Sequence, residues 1–403
     1  MATSLLTRAF TALRPIRPAF PYFCEPSRSF RSVGHATKET LLLFFTIVAF
    51  LCPSSIRANY VGENGNCKLF AVPSAGFGKC NSTATTGLGV AASSGIHSLP
   101  SSDPVVSADW LHANLKEPDV KVLDASWYMP NEQRNPLQEY QQVAHIPGAL
   151  FFDVDGISDR SSNLPHMLPS EEAFSAAVSA LGIYNKDGII VYDGKGIFSA
   201  ARVWWMFRAF GHGRVWVLDG GLPQWRSSGY DVESSASSNS ILKANAAREA
   251  VEKVYSGQPV GPTTFEAKLQ PHLLWNLDQI KENMDLLSHQ HIDARAKARF
   301  DGVAPEPRKG LRAGHVPNSK CIPFTQVLDS SQMLLPASEL RKKFEDEGIS
   351  LDRPVVTSCG TGVTACVLAL GLHRLGKTDV PIYDGSWTEW GGHADAPVAV
   401  NTA

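Results

Sequence analysis

The sequence has little cysteine for its length and no excess of charge of either sign. Its 403 residues include 7 cysteines, 37 Lys and Arg, and 39 Asp and Glu. So few and such scattered cysteines exclude a disulfide-based scaffold, and only Cys321, Cys359 and Cys366 lie beyond residue 100. The balanced charge gives no field that would attract nucleic acid. We therefore expect a reducing compartment, in which a single thiol can stay free to react.

A long hydrophobic run is also missing. Residues 41–52 are nearly all apolar, but a transmembrane helix needs about 20 residues. Residues 1–38 contain five arginines and a single acid, Glu25, a composition typical of an organelle transit peptide. We predict a presequence over residues 1–56 that directs the protein to mitochondria, and a flexible spacer over 57–103. The alternatives are the chloroplast, or secretion if 41–52 acts as a signal or anchor.

Beyond residue 104 the chain contains an ordered internal repeat. Four short segments recur in the same order, at offsets that drift from 169 to 165 residues between Asp124/Asp293 and Trp225/Trp390. The matched pairs are 122–125 with 291–294, 145–148 with 315–318, 189–196 with 355–362, and 218–221 with 383–385. Short apolar strands alternate with amphipathic segments, a pattern typical of α/β domains. We predict two tandem units, 104–232 and 276–393, joined by a linker over 233–275. Each is a mostly parallel sheet flanked by helices.

Cys359 is the residue most suited to chemistry. It follows the β-branched segment Val355–Ser358, stands in a Cys-Gly-Thr-Gly turn and precedes an apolar, helix-like segment. Backbone N–H groups of such a turn, together with the positive end of a helix, stabilise a thiolate or an anion bound to sulfur. The first unit has Asp193 at the equivalent place, and a carboxylate cannot carry sulfur. One active site per chain is therefore predicted.

These features together resemble the tandem rhodanese-domain sulfurtransferases over about residues 104–393. The loop Cys-Gly-Thr-Gly-Val-Thr at 359–364 is similar to that of the 3-mercaptopyruvate sulfurtransferase branch, since the thiosulfate-preferring branch usually has cations within the loop. The resemblance implies transfer of sulfur from 3-mercaptopyruvate, and less well from thiosulfate, through a persulfide on Cys359. The acceptors would be cyanide or a thiol such as thioredoxin, and pyruvate would be released. The alternative is a sulfur-relay or redox-sensing persulfide carrier with little turnover of small donors. No cofactor, metal or nucleic-acid partner is expected, and we expect a monomer.

The resemblance also implies how the substrate carboxylate is held. Arg299 and Arg308 match family positions that bind it, and a guanidinium fork suits a planar carboxylate. Arg295 and Arg312 lie nearby in sequence and could take that role instead. By residue type alone, an arginine is more often a solvated surface group.

The remaining implied roles concern protons and the anion. Thr361, His166 and Asp155 match a hydroxyl–histidine–aspartate set that spans both units, in which the aspartate orients the imidazole and the imidazole polarises the hydroxyl. The ordinary alternative is that Asp155 caps a turn and His166 is a loop histidine. The loop amides expected to cradle the anion belong to Gly360, Gly362, Val363 and Thr364.

Three other interpretations are weaker. A phosphatase of this type would need an arginine in the loop, but position 365 is alanine. Gly194 and Gly196 alone are a weak dinucleotide signal, because the third expected glycine is Ser199. Cys366 could form a redox pair with Cys359, but packing inside the helix is the simpler expectation.

Overall fold

The structure, a computed structural model, describes residues 103–401. The predicted presequence, residues 41–52 within it, and the spacer up to residue 102 lie outside the described residues. Within residues 103–401, no helix is long and apolar enough to cross a membrane.

The first repeat forms five strands and five helices. Its strands are β1 (Val105–Val106), β2 (Val120–Asp124), β3 (Leu150–Phe151), β4 (Gly188–Tyr192) and β5 (Val215–Leu218). Its helices are α1 (Ala108–Asn114), α2 (Pro136–Gln142), α3 (Glu171–Ala180), α4 (Ala200–Ala209) and α5 (Gly221–Ser227), with a 3₁₀ turn at Pro130–Glu132. The strand β4 is buried along its whole length, as expected for a central strand covered on both faces.

The second repeat follows the same plan. Its strands are β6 (Leu274–Trp275), β7 (Gln290–Asp293), β8 (Lys320–Cys321), β9 (Val355–Ser358) and β10 (Ile382–Tyr383). Its helices are α7 (Leu277–Leu286), α8 (Lys297–Phe300), α9 (Ala337–Asp346), α10 (Ala365–Arg374) and α11 (Ser386–Gly392), with 3₁₀ turns at Pro271–Leu273 and Phe324–Val327.

The two sheets have equivalent topologies. Their strand orders are β1-β5-β4-β2-β3 and β6-β10-β9-β7-β8, and every pairing between these strands is parallel. The predicted fold class of two repeated parallel α/β units is confirmed. In both sheets the loop after the central strand lies at the carboxyl edge, where ligands bind in open α/β sheets. Cys359 follows β9, and Asp193 follows β4.

The segment between the repeats contains a helix that the sequence analysis did not predict. Helix α6 (Ser238–Tyr255) begins at Ser237, whose side chain accepts the N–H of Ser240, and it packs along α3. Only Ala244, Ala247 and Val251 on this helix are buried. So narrow an apolar stripe gives a weak periodic signal, which explains why the sequence predicted only a linker over residues 233–275.

The interface between the repeats is pseudo-symmetric. Helices α4 and α10, which begin directly after the two equivalent loops, pack against each other. Asp384 of the second repeat accepts the N–H of Leu168 at 2.7 Å, and the equivalent Asp219 of the first accepts the N–H of Leu334 at 2.8 Å. Each repeat therefore holds a loop of the other in place.

The symmetry is broken by a buried ion pair that bridges the repeats. Arg202 on α4 and Asp384 are both buried, and the guanidinium of Arg202 also donates to the carbonyls of Gly362 and His166. Burial alone would lower the pKa of Arg202, but Asp384 outweighs it and raises this pKa above the ordinary value. One side chain of the first repeat thus fixes both the loop that contains Cys359 and the segment that contains His166.

We expect Arg202→Met to destabilise the protein strongly, because Asp384 would remain as a buried charge without its partner. Removing one member of a buried pair typically costs about 3–5 kcal/mol. Urea unfolding measures this loss. The double variant Arg202→Met/Asp384→Leu should recover much of the stability. If each single variant unfolds like the unmodified protein, the pair does not contribute to stability as argued.

Candidate active site

Cys359 lies at the wall of a cavity to which both repeats contribute. The cavity has a volume of about 270 Å³. The first repeat supplies Trp127, Met129, Lys195 and Phe198, and the second supplies Ala294, Arg295, Ala296, Arg299, Arg308, Phe324, Cys359, Gly360, Thr361, Val363 and Thr364. Cys359 itself is only 2% exposed. The sulfur-bearing residue therefore adjoins a cavity that combines apolar walls with cationic groups.

The loop after β9 is held in shape by Ser386. Its hydroxyl accepts the N–H groups of Cys359 and Gly362, each at 3.1 Å, and donates to the carbonyl of Tyr383 at 2.7 Å. The first turn of α11 binds the loop carbonyls, since the amides of Trp387 and Thr388 donate to those of Cys359 and Gly360. The carbonyl groups of Cys359 and Gly360 are therefore bound by α11, whereas several N–H groups of the same loop have no acceptor.

The loop N–H groups that have no acceptor are not the same set as those predicted to bind an anion. Among residues 103–401, no acceptor binds the N–H groups of Gly360, Thr361, Val363 or Thr364. The amide of Gly362 is not available, because it donates to Ser386. Gly362 is instead needed for its backbone: its φ is +73°, and an added Cβ would lie 2.8 Å from the carbonyl oxygen of Asp384. In this structure the Gly362 amide therefore stabilises the loop through Ser386, and a role in cradling an anion stays a prediction.

The first repeat has an equivalent loop, one residue longer, in which a carboxylate follows the central strand. The carboxylate of Asp193, at the position of Cys359, accepts the N–H groups of Lys195, Phe198 and Ala200 at 2.8–2.9 Å. Burial raises the pKa of Asp193, and these amides partly offset that effect. The geometry of this loop is therefore suited to a negative charge on the residue that follows the central strand.

Cys359 differs from the two other cysteines in the described part of the chain. All three are free thiols. Burial raises the pKa of Cys321 to about 12 and the pKa of Cys366 further, so both remain protonated. Cys366 lies in the first turn of α10, and its Sγ is 3.2 Å from the carbonyl oxygen of Gly362. Cys359 is the one of the three that adjoins the cavity.

Arg299 and Arg308 both reach the cavity but differ in their partners. Arg299 pairs with Glu306 at 2.5 Å, and an added Cβ on Gly360 would lie 3.3 Å from its Nη2, so its guanidinium is next to the loop. Arg308 has no hydrogen bond or ion pair with any residue of the range 103–401. Burial lowers the pKa of Arg308 below its ordinary value, although the nearby Cys359 opposes this shift. Arg308 is the cation of this pair that is free to bind a ligand.

The other two arginines left open by the sequence have structural partners. Arg295 is buried, pairs with Asp293 and Glu306, and stacks over the Trp387 ring at 4.2 Å. Arg312 donates to four backbone carbonyls between residues 390 and 396 and does not line the cavity. Neither has a donor arrangement that resembles a free carboxylate clamp.

Asp155 and His166 are brought together, and Trp127 connects them to the cavity. His166 Nδ1 is 2.7 Å from Asp155 Oδ1, although the angle lies outside hydrogen-bond geometry. Trp127 Nε1 donates to the other Asp155 oxygen at 3.0 Å, and its ring packs edge-on against His166. Desolvation alone would raise the pKa of Asp155, but His166 and Trp127 more than offset it and lower this pKa. Asp155 remains 63% exposed.

Thr361 is not joined to this pair. It lines the cavity with Cys359, but no hydrogen bond links it to His166 within the described residues. His166 is buried in the left-handed conformation, at φ +63°, and its Nε2 is unpartnered. The structure therefore contains the aspartate–histidine pair and the hydroxyl separately.

The sequence analysis missed Ser386 and Arg202. Position 386 is serine where the first repeat has Gly221, which lacks a hydroxyl, and position 202 is arginine where the second repeat has Val367. Because each residue has no chemical equivalent in the other repeat, this difference between the repeats could have identified both as candidates for a role in the site.

Comparison with known proteins gives a consistent family. The "Rhodanese-like domain" family matches residues 107–228 and 276–393. The chain is 71% identical over 315 residues to "Thiosulfate/3-mercaptopyruvate sulfurtransferase 1, mitochondrial" of Arabidopsis thaliana, which covers 78% of this chain and 83% of that protein.

More distant relatives agree. Human "3-mercaptopyruvate sulfurtransferase" is 41% identical over 292 residues, which is 71% of this chain and 91% of that protein. The crystal structure of SseA from Escherichia coli, described as a 3-mercaptopyruvate sulfotransferase with the rhodanese fold, matches with a TM-score of 0.60 at 36% identity. That match covers 71% of this chain and 99% of SseA.

Proposed function

This chain belongs to the family of rhodanese-like sulfurtransferases, and we propose that it moves sulfur from 3-mercaptopyruvate, and less well from thiosulfate, through a persulfide on Cys359. The protein is an enzyme of the thiosulfate/3-mercaptopyruvate sulfurtransferase type. The observation that carries the proposed intermediate is the position of Cys359, beside the cavity and in a loop whose counterpart in the first repeat binds a carboxylate.

The proposed reaction has two half-reactions. The Cys359 thiolate attacks the sulfur of 3-mercaptopyruvate, so an S–S bond forms and the C–S bond breaks. The electron pair of the broken C–S bond leaves with the pyruvate fragment as an enolate, which then takes a proton at carbon. A second nucleophile, cyanide or a thiol such as that of thioredoxin, then takes the outer sulfur and regenerates the thiolate. This is covalent catalysis by a nucleophile, and the free loop amides of Gly360, Thr361, Val363 and Thr364 can stabilise the negative charge that develops on sulfur.

In this proposal Arg308, with Arg299, holds the substrate carboxylate. A carboxylate accepts two parallel N–H bonds from one guanidinium, and Arg308 has its donors free. Arg299 is already bound to Glu306, so it offers the donors on its other side and contributes charge next to Gly360.

We expect Arg308→Ala to lower kcat/KM for 3-mercaptopyruvate roughly 10- to 150-fold, because a hydrogen bond to a charged group contributes about 1.5–3 kcal/mol. Steady-state kinetics at several concentrations of 3-mercaptopyruvate provide the measurement. Lys309→Ala, which removes the neighbouring exposed cation, is the matched control. Unchanged kinetics in Arg308→Ala would mean that another group holds the carboxylate.

The acid–base part of the proposal assigns the proton to His166 and Thr361. Asp155 orients the imidazole through Nδ1, and the unpartnered Nε2 is left to exchange a proton with the enolate or with the Thr361 hydroxyl. Because these residues come from different repeats, the first repeat would contribute to catalysis without a nucleophile of its own.

We further propose import into mitochondria. The arginine-rich, acid-poor composition of residues 1–38 supports it, as does the printed name of the Arabidopsis relative.

Mass spectrometry separates an enzyme with this intermediate from a sulfur carrier with little turnover. After incubation with 3-mercaptopyruvate, the peptide containing Cys359 should be heavier by one sulfur atom, and cyanide should remove that atom while pyruvate accumulates over many turnovers. Persulfide formation that stops after one equivalent of pyruvate, even with cyanide present, would favour the carrier.

A further inference from the structure

The cavity beside Cys359 contains a cation from the non-catalytic repeat. The loop of the first repeat faces the same space as the catalytic loop, and Lys195 and Phe198 line it. In the alignment of Asp193 with Cys359, Lys195 is the counterpart of Thr361. The catalytic loop has no cation of its own between residues 359 and 365. The first repeat therefore contributes a positive charge to the lining of the site.

Two contacts of its side chain and one of its backbone hold Lys195 in place. Its Nζ is 2.8 Å from Glu132 Oε1 and 4.4 Å from the centre of the Phe198 ring, while its backbone N–H donates to Asp193 at 2.8 Å. Desolvation alone would raise the pKa of Glu132, but Lys195 outweighs it and lowers this pKa. The lysine side chain is 31% exposed, so Nζ has donors left for a ligand.

The two walls of the cavity present different kinds of cation. Arg299 and Arg308, on the second repeat, offer planar guanidinium groups that match a carboxylate. Lys195 offers a compact ammonium group with three rotatable donors, which suits a tetrahedral oxyanion as well as a planar one. A donor whose sulfur lies at Cys359 could therefore place a carboxylate on one wall or a sulfonate-type group on the other.

We propose that Lys195 is a specificity-determining residue that binds the –SO₃ end of thiosulfate and the sulfite that leaves. This inference rests on the proposed function and assigns the group that lets the site use a dianionic donor. In the step concerned, the Cys359 thiolate attacks the outer sulfur of thiosulfate, the S–S bond of the donor breaks, and its electron pair leaves with sulfite. The persulfide remains on Cys359, and Lys195 stabilises the departing dianion from across the cavity.

Donor kinetics of the full protein test the proposal. We expect Lys195→Gln to lower kcat/KM for thiosulfate by at least about 10-fold, which corresponds to about 1.4 kcal/mol. The loss for 3-mercaptopyruvate should be smaller, so the ratio of the two kcat/KM values shifts toward it. Lys195→Arg, which keeps the charge, should restore most of the thiosulfate activity. Lys186→Gln, which removes an exposed cation paired with Asp119 outside the cavity, is the control.

A second variant separates ligand binding from a structural role of the ion pair. Glu132→Gln breaks the pair but leaves the ammonium group free, so thiosulfate kinetics should not fall as they do in Lys195→Gln. If Glu132→Gln and Lys195→Gln have the same loss, or if Lys195→Gln affects both donors equally, Lys195 does not select the donor.

Sulfite binding gives a readout that does not depend on turnover. In Cys359→Ser, which cannot form a persulfide, sulfite can be titrated against the fluorescence of the tryptophans, one of which, Trp127, lines the cavity. The added change Lys195→Gln should weaken this binding about 10-fold, even if the persulfide chemistry were wrong. Equal sulfite affinity with and without Lys195 would overturn the proposal while leaving the sulfurtransferase function intact.

Discussion

Replacement of Cys359 by serine is expected to abolish sulfur transfer from both 3-mercaptopyruvate and thiosulfate. A serine hydroxyl is a far weaker nucleophile than a thiolate at neutral pH and cannot store sulfur as a persulfide. Loss of the nucleophile in covalent catalysis typically costs on the order of 10⁴-fold or more in kcat. The fold should be unaffected, because the substitution changes one atom and the backbone N–H of residue 359 keeps its bond to Ser386.

The control for this variant is Cys321→Ala. Cys321 is also a buried free thiol, but it does not line the cavity, and burial raises its pKa to about 12. Its loss should leave transfer close to that of the unmodified protein. Initial rates with both donors and circular dichroism of both variants complete the test. Substantial transfer by purified Cys359→Ser would contradict a single active site per chain.

The repeat explains why so much of the fold could be predicted from sequence. Four segments of one half had counterparts in the same order in the other, so local patterns reinforced one another. The site of the nucleophile followed because only the second repeat has a cysteine at the residue after the central strand, where the first repeat has Asp193. The elements that reproduce local periodicity, such as β4 and β9, were accordingly identified.

The parts that escaped prediction depend on contacts between residues far apart in sequence. Whether the amide of Gly362 is free depends on a hydroxyl at Ser386, and whether His166 faces the catalytic repeat depends on Arg202 and Asp384. No spacing rule connects such residues, because the loops that carry them meet only when two complete domains pack. The position of Lys195 in the cavity likewise depends on how the two repeats pack and could not be predicted from the sequence.

His166→Ala is expected to slow transfer from 3-mercaptopyruvate about 10²- to 10⁴-fold, the usual range for a positioned acid–base group. The reason is that pyruvate leaves as an enolate, which needs a proton, and Nε2 of His166 is the ring nitrogen that does not lie against Asp155 and has no hydrogen-bond partner. Thiosulfate releases sulfite, a stable anion that needs no proton, so its transfer should suffer much less. The measurement is kcat with each donor under saturating cyanide.

The repeat also supplies matched controls for His166. Gln332 is the equivalent residue of the second repeat and has the same left-handed backbone, at φ +60° against +63°. His166→Gln is therefore tolerated by the backbone but removes the imidazole, and it should reproduce the selective loss with 3-mercaptopyruvate. Gln332→Ala introduces the same backbone strain away from the nucleophile and should affect neither donor selectively. Equal losses with both donors in His166→Gln would assign His166 a structural role, since strain acts on the loop whichever donor is bound. A selective loss would mean that the first repeat, which has no nucleophile, supplies the proton that this donor requires.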